Sequence, residues 1–264
     1  MFPFSFISGA GIDAQAAAFI AAAGITDPTQ ITAINRLVLN YKGIGNINNS
    51  VDLWSGTLLI LPLVGGTAAA NQVNLKDALT VVTFFGGLTH NSNGLTGNGT
   101  NGYGLLSFAP DALAQDNNRI TAYLRTDTGA TGYVGVIGAT GAGFTNGIDI
   151  EINKTSANIA TYNNTTFRVN SLATRTGLFG VNRVLSTQYK DYRNGVPIFT
   201  NVVSSLSPIS TPFALLANNN NGSLLNYSPE NVAFYSAGNG LSDANILIEY
   251  NIIQQFQTDL GRQV

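Results

Sequence analysis

Cysteine is absent from this 264-residue chain, and histidine, tryptophan and methionine occur once each. Without a thiol there is no disulfide staple, no zinc thiolate and no cysteine nucleophile. A single histidine, His90, cannot build a histidine-rich metal site. Charge is also scarce, at 10% of residues, against roughly 25% in average domains. The 12 basic and 14 acidic residues are scattered and leave a net charge of −2. No basic stripe exists to neutralise phosphates, so no nucleic-acid partner is expected. No run approaches the ~18 consecutive apolar residues of a spanning helix, so no membrane insertion is expected. The opening Met1–Ile7 is apolar but short, and no basic residue precedes it. A secretory signal is therefore not expected.

What fills the chain instead is glycine (29 residues), with asparagine, threonine and serine, beside an ordinary 44% of apolar residues. Low charge with many turn formers suits a rigid all-β shell. Length allows one large β domain or two small ones and does not decide between them. The clearest local signal is Tyr189–Thr200, where two aromatic and β-branched runs flank Asn194-Gly195. A type I′ turn needs positive φ at both central residues, which Asn tolerates and Gly adopts freely. Pairing outward sets Arg193 opposite Val196, Asp191 opposite Ile198 and Tyr189 opposite Thr200. Pro197 lacks an N–H, so the returning strand is expected to be an edge or to point that position away from its neighbour.

Residues 1–11 read as an extended tail. Over 12–50, Asp13 and Asp27-Pro28 each start a short helix, and both helices must dock on something larger. The segment Leu58–Val64 reads as a buried stretch or a first strand. From about Asn74 the pattern is all strand: Thr80–Phe85, Tyr103–Phe108, Arg119–Arg125, Gly132–Gly138, Gly147–Asn153 and Asn158–Tyr162. It continues through Thr166–Val169, Gly177–Val181, the hairpin pair, Phe213–Ala217 and Asn231–Ser236. One strand per 8–12 residues or so, with Gly, Asn and Pro turns, argues for a sandwich over 51–264. A helix over 242–260 closes it, capped by Ser242, with Ile246, Tyr250, Ile253 and Leu260 on one side and Phe256 and Leu247 widening the stripe.

A strand, an Asn-Gly hairpin, further strands and a Gly240-Leu-Ser-Asp243 helix together resemble the concanavalin A-like lectin/glucanase jelly roll, in its laminin-G-like branch. Several strings are similar to those of a domain widespread in bacteriophage virion proteins. They are Ala22–Asp27, Leu63–Thr67, Asn74–Asp77, Asn98–Tyr103, Tyr192–Gly195, Gly240–Asp243 and Phe256–Arg262, and their order carries the likeness. The resemblance implies an all-β jelly-roll sandwich in a virion structural protein: a tail-fibre, receptor-binding, capsid-fibre or decoration component. It also implies other virion proteins and a homo-oligomer as partners, and recognition of a host-surface glycan. It supplies no binding residues.

Candidate chemistry comes from the residues themselves. Gly147-Ile-Asp-Ile-Glu-Ile152 puts Asp149 and Glu151 on one strand face. It resembles the Glu-x-Asp-x-Glu of jelly-roll glucanases, but Gly147 stands where the nucleophile would be, so a solvated charged face is expected and no enzyme. Gly97–Gly102 matches a dinucleotide fingerprint by letter, yet a strand follows it instead of a helix. His90 sits in a polar loop and is expected to be exposed and inert. No cofactor is expected, with calcium left open because laminin-G-like relatives often bind it. Trp54 reads as a docking residue. Tyr103, beside the Gly-rich loop with Asn98 and Asn101, is the candidate ligand surface, on loops Thr89–Gly102 and Asn218–Ser223. The tail residues Phe2, Phe4, Phe6 and Ile7 are the candidate anchor, being apolar with no helix of their own. The alternatives are a carbohydrate-active hydrolase, which the missing carboxylate opposes, and a cellular lectin-like adhesion module.

Overall fold

The computed structural model describes residues 11–172 and 174–264; the anchor candidates Phe2, Phe4, Phe6 and Ile7 lie outside the described residues. The two predicted aspartate caps start the two predicted helices. Asp13 accepts from the Gln15 N–H ahead of α1 (Ala14–Ala22), and Asp27 from the Gln30 N–H ahead of α2 (Pro28–Tyr41). Gly24, with φ +63°, ends α1 in the left-handed conformation usual after a helix. Then come β1 (Thr57–Leu61), the single turn α3 (Ala68–Asn71), β2 (Val82–Phe85), β3 (Thr89–Asn91), β4 (Gly94–Thr96) and β5 (Tyr103–Leu106). The middle of the chain holds β6 (Asn118–Leu124), β7 (Tyr133–Thr140), β8 (Gly147–Asn153), β9 (Asn158–Asn163) and β10 (Arg168–Ser171). Next are β11 (Gly177–Leu185), β12 (Gln188–Arg193), β13 (Val196–Val202) and β14 (Ala214–Leu215). The short β15 (Asn218–Asn220) and β16 (Ser223–Leu225) lead to β17 (Asn231–Gly238) and α4 (Asp243–Asp259).

These strands form two sheets packed as a jelly-roll sandwich. The first runs β13-β12-β11-β6-β17-β4-β3, with β1 added on β17. The second runs β10-β9-β8-β7-β14-β5-β2, with β15 on β7 and β16 on β15. Between them lies a core of alternate side chains, among them Ile120, Phe179, Val181 and Tyr235 facing Val136, Ile150, Ile152 and Ile159. The opposite residues of the first sheet, including Tyr123, Leu178 and Phe234, bury against Phe19, Ile34, Val38, Ile253 and Phe256 of the helices. Each such side chain contributes roughly 1.5–3 kcal/mol. The first sheet thus has two dry faces, and the helices cover the outer one.

Three expectations need correction. The Asn194-Gly195 hairpin forms, with Arg193 opposite Val196, but a bulge then pairs Asp191 with Phe199 and Tyr189 with Asn201. The extra residue falls just after Pro197, which has no N–H to give the ladder. The supposed loops 89–102 and 218–223 contain strand pairs, β3 with β4 and β15 with β16. They are too short and too polar to show the alternation that marks a strand. On α4 the buried set is Ile246, Glu249, Ile252, Ile253, Phe256 and Gln257, while Leu247 is exposed.

Candidate functional site

Strand alternation builds an aromatic surface at the edge of the second sheet. Val82 and Leu106 are register partners that point into the core, so Phe85 and its partner Tyr103 point outward. Their rings stack at 4.8 Å with planes 16° apart, and Tyr227 lies 6.1 Å from Tyr103. Phe85 is 41% exposed, a large flat ring left in water beside two half-buried tyrosines.

The loop 98–102 sits against this surface through its own hydrogen bonds. Asn98 Oδ1 accepts from the N–H groups of Thr100, Asn101 and Gly102 at 3.0, 3.1 and 2.9 Å. Its Nδ2 donates to Asn101 Oδ1 at 2.7 Å. Asn98 is therefore committed to shaping the loop, and the exposed Asn101 side-chain amide is the donor left for a ligand. Gly86 follows Phe85 with φ +67°, and a Cβ there would collide with the Asn101 carbonyl. On the other side Gly97 and Gly99 donate their N–H groups to Glu230 O and Ser228 O. The structure brings Tyr103, Asn98 and Asn101 together and adds Phe85 and Tyr227. Those two were missed because their neighbours come from distant sequence; the signal for Phe85 lay in its alternation with Val82.

The Asp149–Glu151 strand overturns its expectation. Both carboxyls point away from the core, as the alternation requires, yet both are buried. The chain from Leu216 to Asn226 lies over them: Asn218 Nδ2 donates to Asp149 Oδ2 at 2.5 Å, and Asn226 Nδ2 to Glu151 Oε1 at 2.7 Å. Thr140 Oγ1 donates to Asn218 Oδ1 at 2.9 Å, and Asp149 Oδ1 has no partner. Burial, followed by the neighbouring Glu151 charge, pushes the Asp149 carboxyl well above its ordinary range, and burial also raises Glu151. The face is closed by protein, not solvated.

The remaining candidates are structural. His90 is half-buried, set edge-on to Phe84 at 4.6 Å and hydrogen-bonded through Nδ1 to Asn71 at 3.0 Å. It is packed rather than exposed, because β3 pairs with β4 where a free loop was expected, and burial lowers its pKa. Trp54 packs on the helical core, with the Lys76 ammonium 3.9 Å from its ring centre. Among the described residues no three His, Cys, Asp or Glu side chains converge as metal ligands, and no helix is long and apolar enough to cross a membrane. A cleft of about 240 Å³ opens between the start of α2, Val64, Ser92 and the end of α4. It contains none of the candidate residues.

No protein-family model and no curated protein matches the sequence. Solved structures do match the fold. A Trypanosoma rangeli sialidase mutant displaying trans-sialidase activity aligns with a TM-score of 0.58 at 13% identity, over 85% of this chain and 39% of that one. Botulinum neurotoxin type C, which depends on interaction with two ganglioside molecules to enter cells, aligns with a TM-score of 0.55 at 15% identity. That match covers 76% of this chain and 52% of the toxin chain. The binding domain of botulinum neurotoxin DC, solved with rat synaptotagmin II, gives 0.52 at 14% identity over 76% of this chain and 52% of that one. This chain spans about half or less of each of these proteins. At such identities the likeness is one of fold: a β-sandwich of the kind present in these toxin and sialidase chains.

Proposed function

We propose that this protein is a non-catalytic glycan-recognition module exposed on a bacteriophage particle, as a fibre, decoration or receptor-binding component. The observation that carries the reading is the exposed Phe85–Tyr103 stack with Tyr227 beside the Asn98–Gly102 loop. Flat rings suit the C–H face of a pyranose, and an exposed side-chain amide suits its hydroxyls. The sandwich shared with a ganglioside-dependent toxin supports the substrate class by analogy of fold. The burial of Asp149 and Glu151 beneath Asn218 and Asn226 supports the non-enzymatic part. The virion assignment, with other virion proteins and sister subunits as partners, rests on the ordered strings from Ala22–Asp27 to Phe256–Arg262. The apolar residues 1–7 supply the proposed anchor.

The test is a glycan array probed with a multimerised form, because shallow sites bind weakly and need several copies. Tyr103→Ala and Phe85→Ala should each lower the signal about tenfold or more, as loss of an aromatic anchor does. An array silent for wild type removes the glycan reading. Release of reducing ends from a bound polysaccharide, lost on Glu151→Gln, removes the non-enzymatic one. Absence of the protein from purified particles by mass spectrometry removes the virion assignment.

A further inference from the structure

We propose that the hairpin from Leu216 to Asn226 is a pH-released cover, whose hold on the Asp149–Glu151 carboxyl pair positions Tyr227 in the ligand surface. Ligand binding then weakens as the pair loses its last proton. The inference rests on the glycan reading of the Phe85–Tyr103–Tyr227 surface and adds its regulation.

The geometry starts with β8. Ile148, Ile150 and Ile152 fill the core between the sheets, so Asp149 and Glu151 share the other face, about 7 Å apart along the strand. On β7 the residues opposite them are Gly138 and Gly135. A Cβ on Gly138 would collide with Asp149 Oδ1, and one on Gly135 would collide with the Ala217 backbone. Two glycines thus let the carboxyl and the covering chain lie flat on the sheet. The cover is fastened by the Asn218 and Asn226 amides, by Thr140, by the Gly135 N–H donating to Asn226 O at 2.7 Å, and by the short parallel pairing of β15 with β7 at Asn219 and Asn220. It is bounded by Leu216 and Asn226, both left-handed with φ of +58° and +54°. Leucine rarely adopts that conformation, so the first boundary is held by its surroundings.

The charges leave one resting state. The cover, Leu216-Ala-Asn-Asn-Asn-Asn-Gly-Ser-Leu-Leu-Asn226, carries no ionisable side chain. From β9 the ionisable neighbour is Tyr162, whose hydroxyl is raised by burial and then by both carboxyls; beyond it on β7 stands Tyr133. The cation that follows β8, Lys154, is held by Asp127 and Glu230 at 2.9 and 2.8 Å. With one proton on the pair, the site carries a single negative charge, and the Asn218 and Asn226 amides serve Asp149 Oδ2 and Glu151 Oε1. Without that proton, two buried negative charges face each other with no cation between them, which a low-dielectric site does not tolerate. Lifting the cover admits water and relieves both charges. Tyr227 is the next residue after the Asn226 fastening, so it moves with the cover.

The sign follows from the raised carboxyls. A carboxyl that holds its proton more tightly when folded stabilises the closed cover most below the ordinary carboxylate range. That contribution falls as pH rises and is gone above the raised folded value.

Amide hydrogen exchange of residues 216–227, corrected for intrinsic rates, should lose protection by about tenfold or more between about pH 5 and 9. The rest of the second sheet should stay protected. Asp149→Asn removes one ionisation and leaves Glu151 as the sole buried carboxyl, so its protection should fall far less with pH than that of wild type. If that variant does not fold, Glu151→Gln makes the same test. The array signal of wild type should fall over the same range, and that of the variant should fall far less. Protection of the cover that is flat with pH in wild type, or that falls equally in the variant, overturns the proposal. Because exchange needs no ligand, an array silent at every pH beside pH-dependent protection would sink the glycan reading and the coupling to it, leaving the cover itself. Glycan binding beside flat protection would sink the cover alone.

Discussion

The outer faces of the two sheets are both covered by protein and both bury charge, but they resolve that charge in opposite ways. Over the first sheet, α4 places Glu249 against Arg119, with Nε–Oε2 and Nη2–Oε1 distances of 3.0 and 2.9 Å. Tyr41 and Ser236 hydroxyls donate to the same carboxylate at 3.0 Å each, and Arg119 spends further N–H groups on Thr57 Oγ1 and Asn239 O. Every element that meets there contributes a partner, and the Glu249 charge keeps Arg119 protonated against the opposing effect of burial. Over the second sheet the buried pair is Asp149 and Glu151, of like sign, held by neutral amides alone. Opposite charges at a buried contact lock a cover down at every ordinary pH; like charges make the cover conditional on a proton. The helices are therefore a permanent part of the fold, and the asparagine hairpin is a removable one.

The largest effect should come from breaking the matched pair. Glu249→Ala leaves Arg119 buried with no counter-charge and strips an acceptor from Tyr41 and Ser236. It should cost about 3–5 kcal/mol in urea unfolding. A cost below about 1 kcal/mol would mean that water reaches Arg119, and the contrast between the faces would fail.

Next in size is the apolar part of the same cover. Ile253 is fully buried between α4 and the first sheet. Ile253→Ala should destabilise by about 2–5 kcal/mol through lost burial and the cavity left behind. An unchanged thermal midpoint would show that α4 is not needed over that face.

How much of this was legible in the sequence differs between the two faces. Around α4 the local signals agree: Ser242 caps, Asp243 sits in the first turn, and Ile246, Ile253 and Phe256 recur at helical spacing. Glu249 was not legible, because its partner is 130 residues away and a glutamate in a helix reads as solvent-facing. On β8 the alternation of Ile148–Ile152 was readable and its boundaries agree with the observed strand. The burial of Asp149 and Glu151 was not, because the cover is made of asparagine, which by composition reads as an exposed loop. In the candidate site Tyr103, Asn98 and Asn101 were chosen from adjacent sequence and do lie together. Phe85 and Tyr227 joined them only through strand pairing and the return of the chain from the hairpin. Local periodicity reveals elements, whereas sites depend on which distant elements the topology makes neighbours.

The smallest expected effect probes the exposed rim of the permanent cover. Lys190 on β12 reaches Asp243 at the start of α4, with Nζ–Oδ2 at 2.7 Å, and the Tyr192 hydroxyl donates to Asp243 Oδ1 at 2.6 Å. The pair is open to water, Asp243 being 53% exposed in its side chain. Hydrogen bonds from Lys190 and then Tyr192 hold the Asp243 carboxyl below its ordinary range. A lowered carboxyl contributes stability above its unfolded pKa and loses it as pH falls through the folded value. The contribution of Lys190 is therefore present at neutral pH and absent in strong acid. Solvent and salt screen it, so Lys190→Ala should cost only about 0.2–1 kcal/mol, and less at high salt. Asp243 keeps its Tyr192 bond and its favourable place at the positive end of α4 in that variant. Measured against Glu249→Ala in the same buffer, the ratio tests whether burial decides what a charge pair is worth. A Lys190→Ala loss as large as that of Glu249→Ala, and insensitive to salt, would show that the rim, not the buried pair, fastens the helix to the sheet.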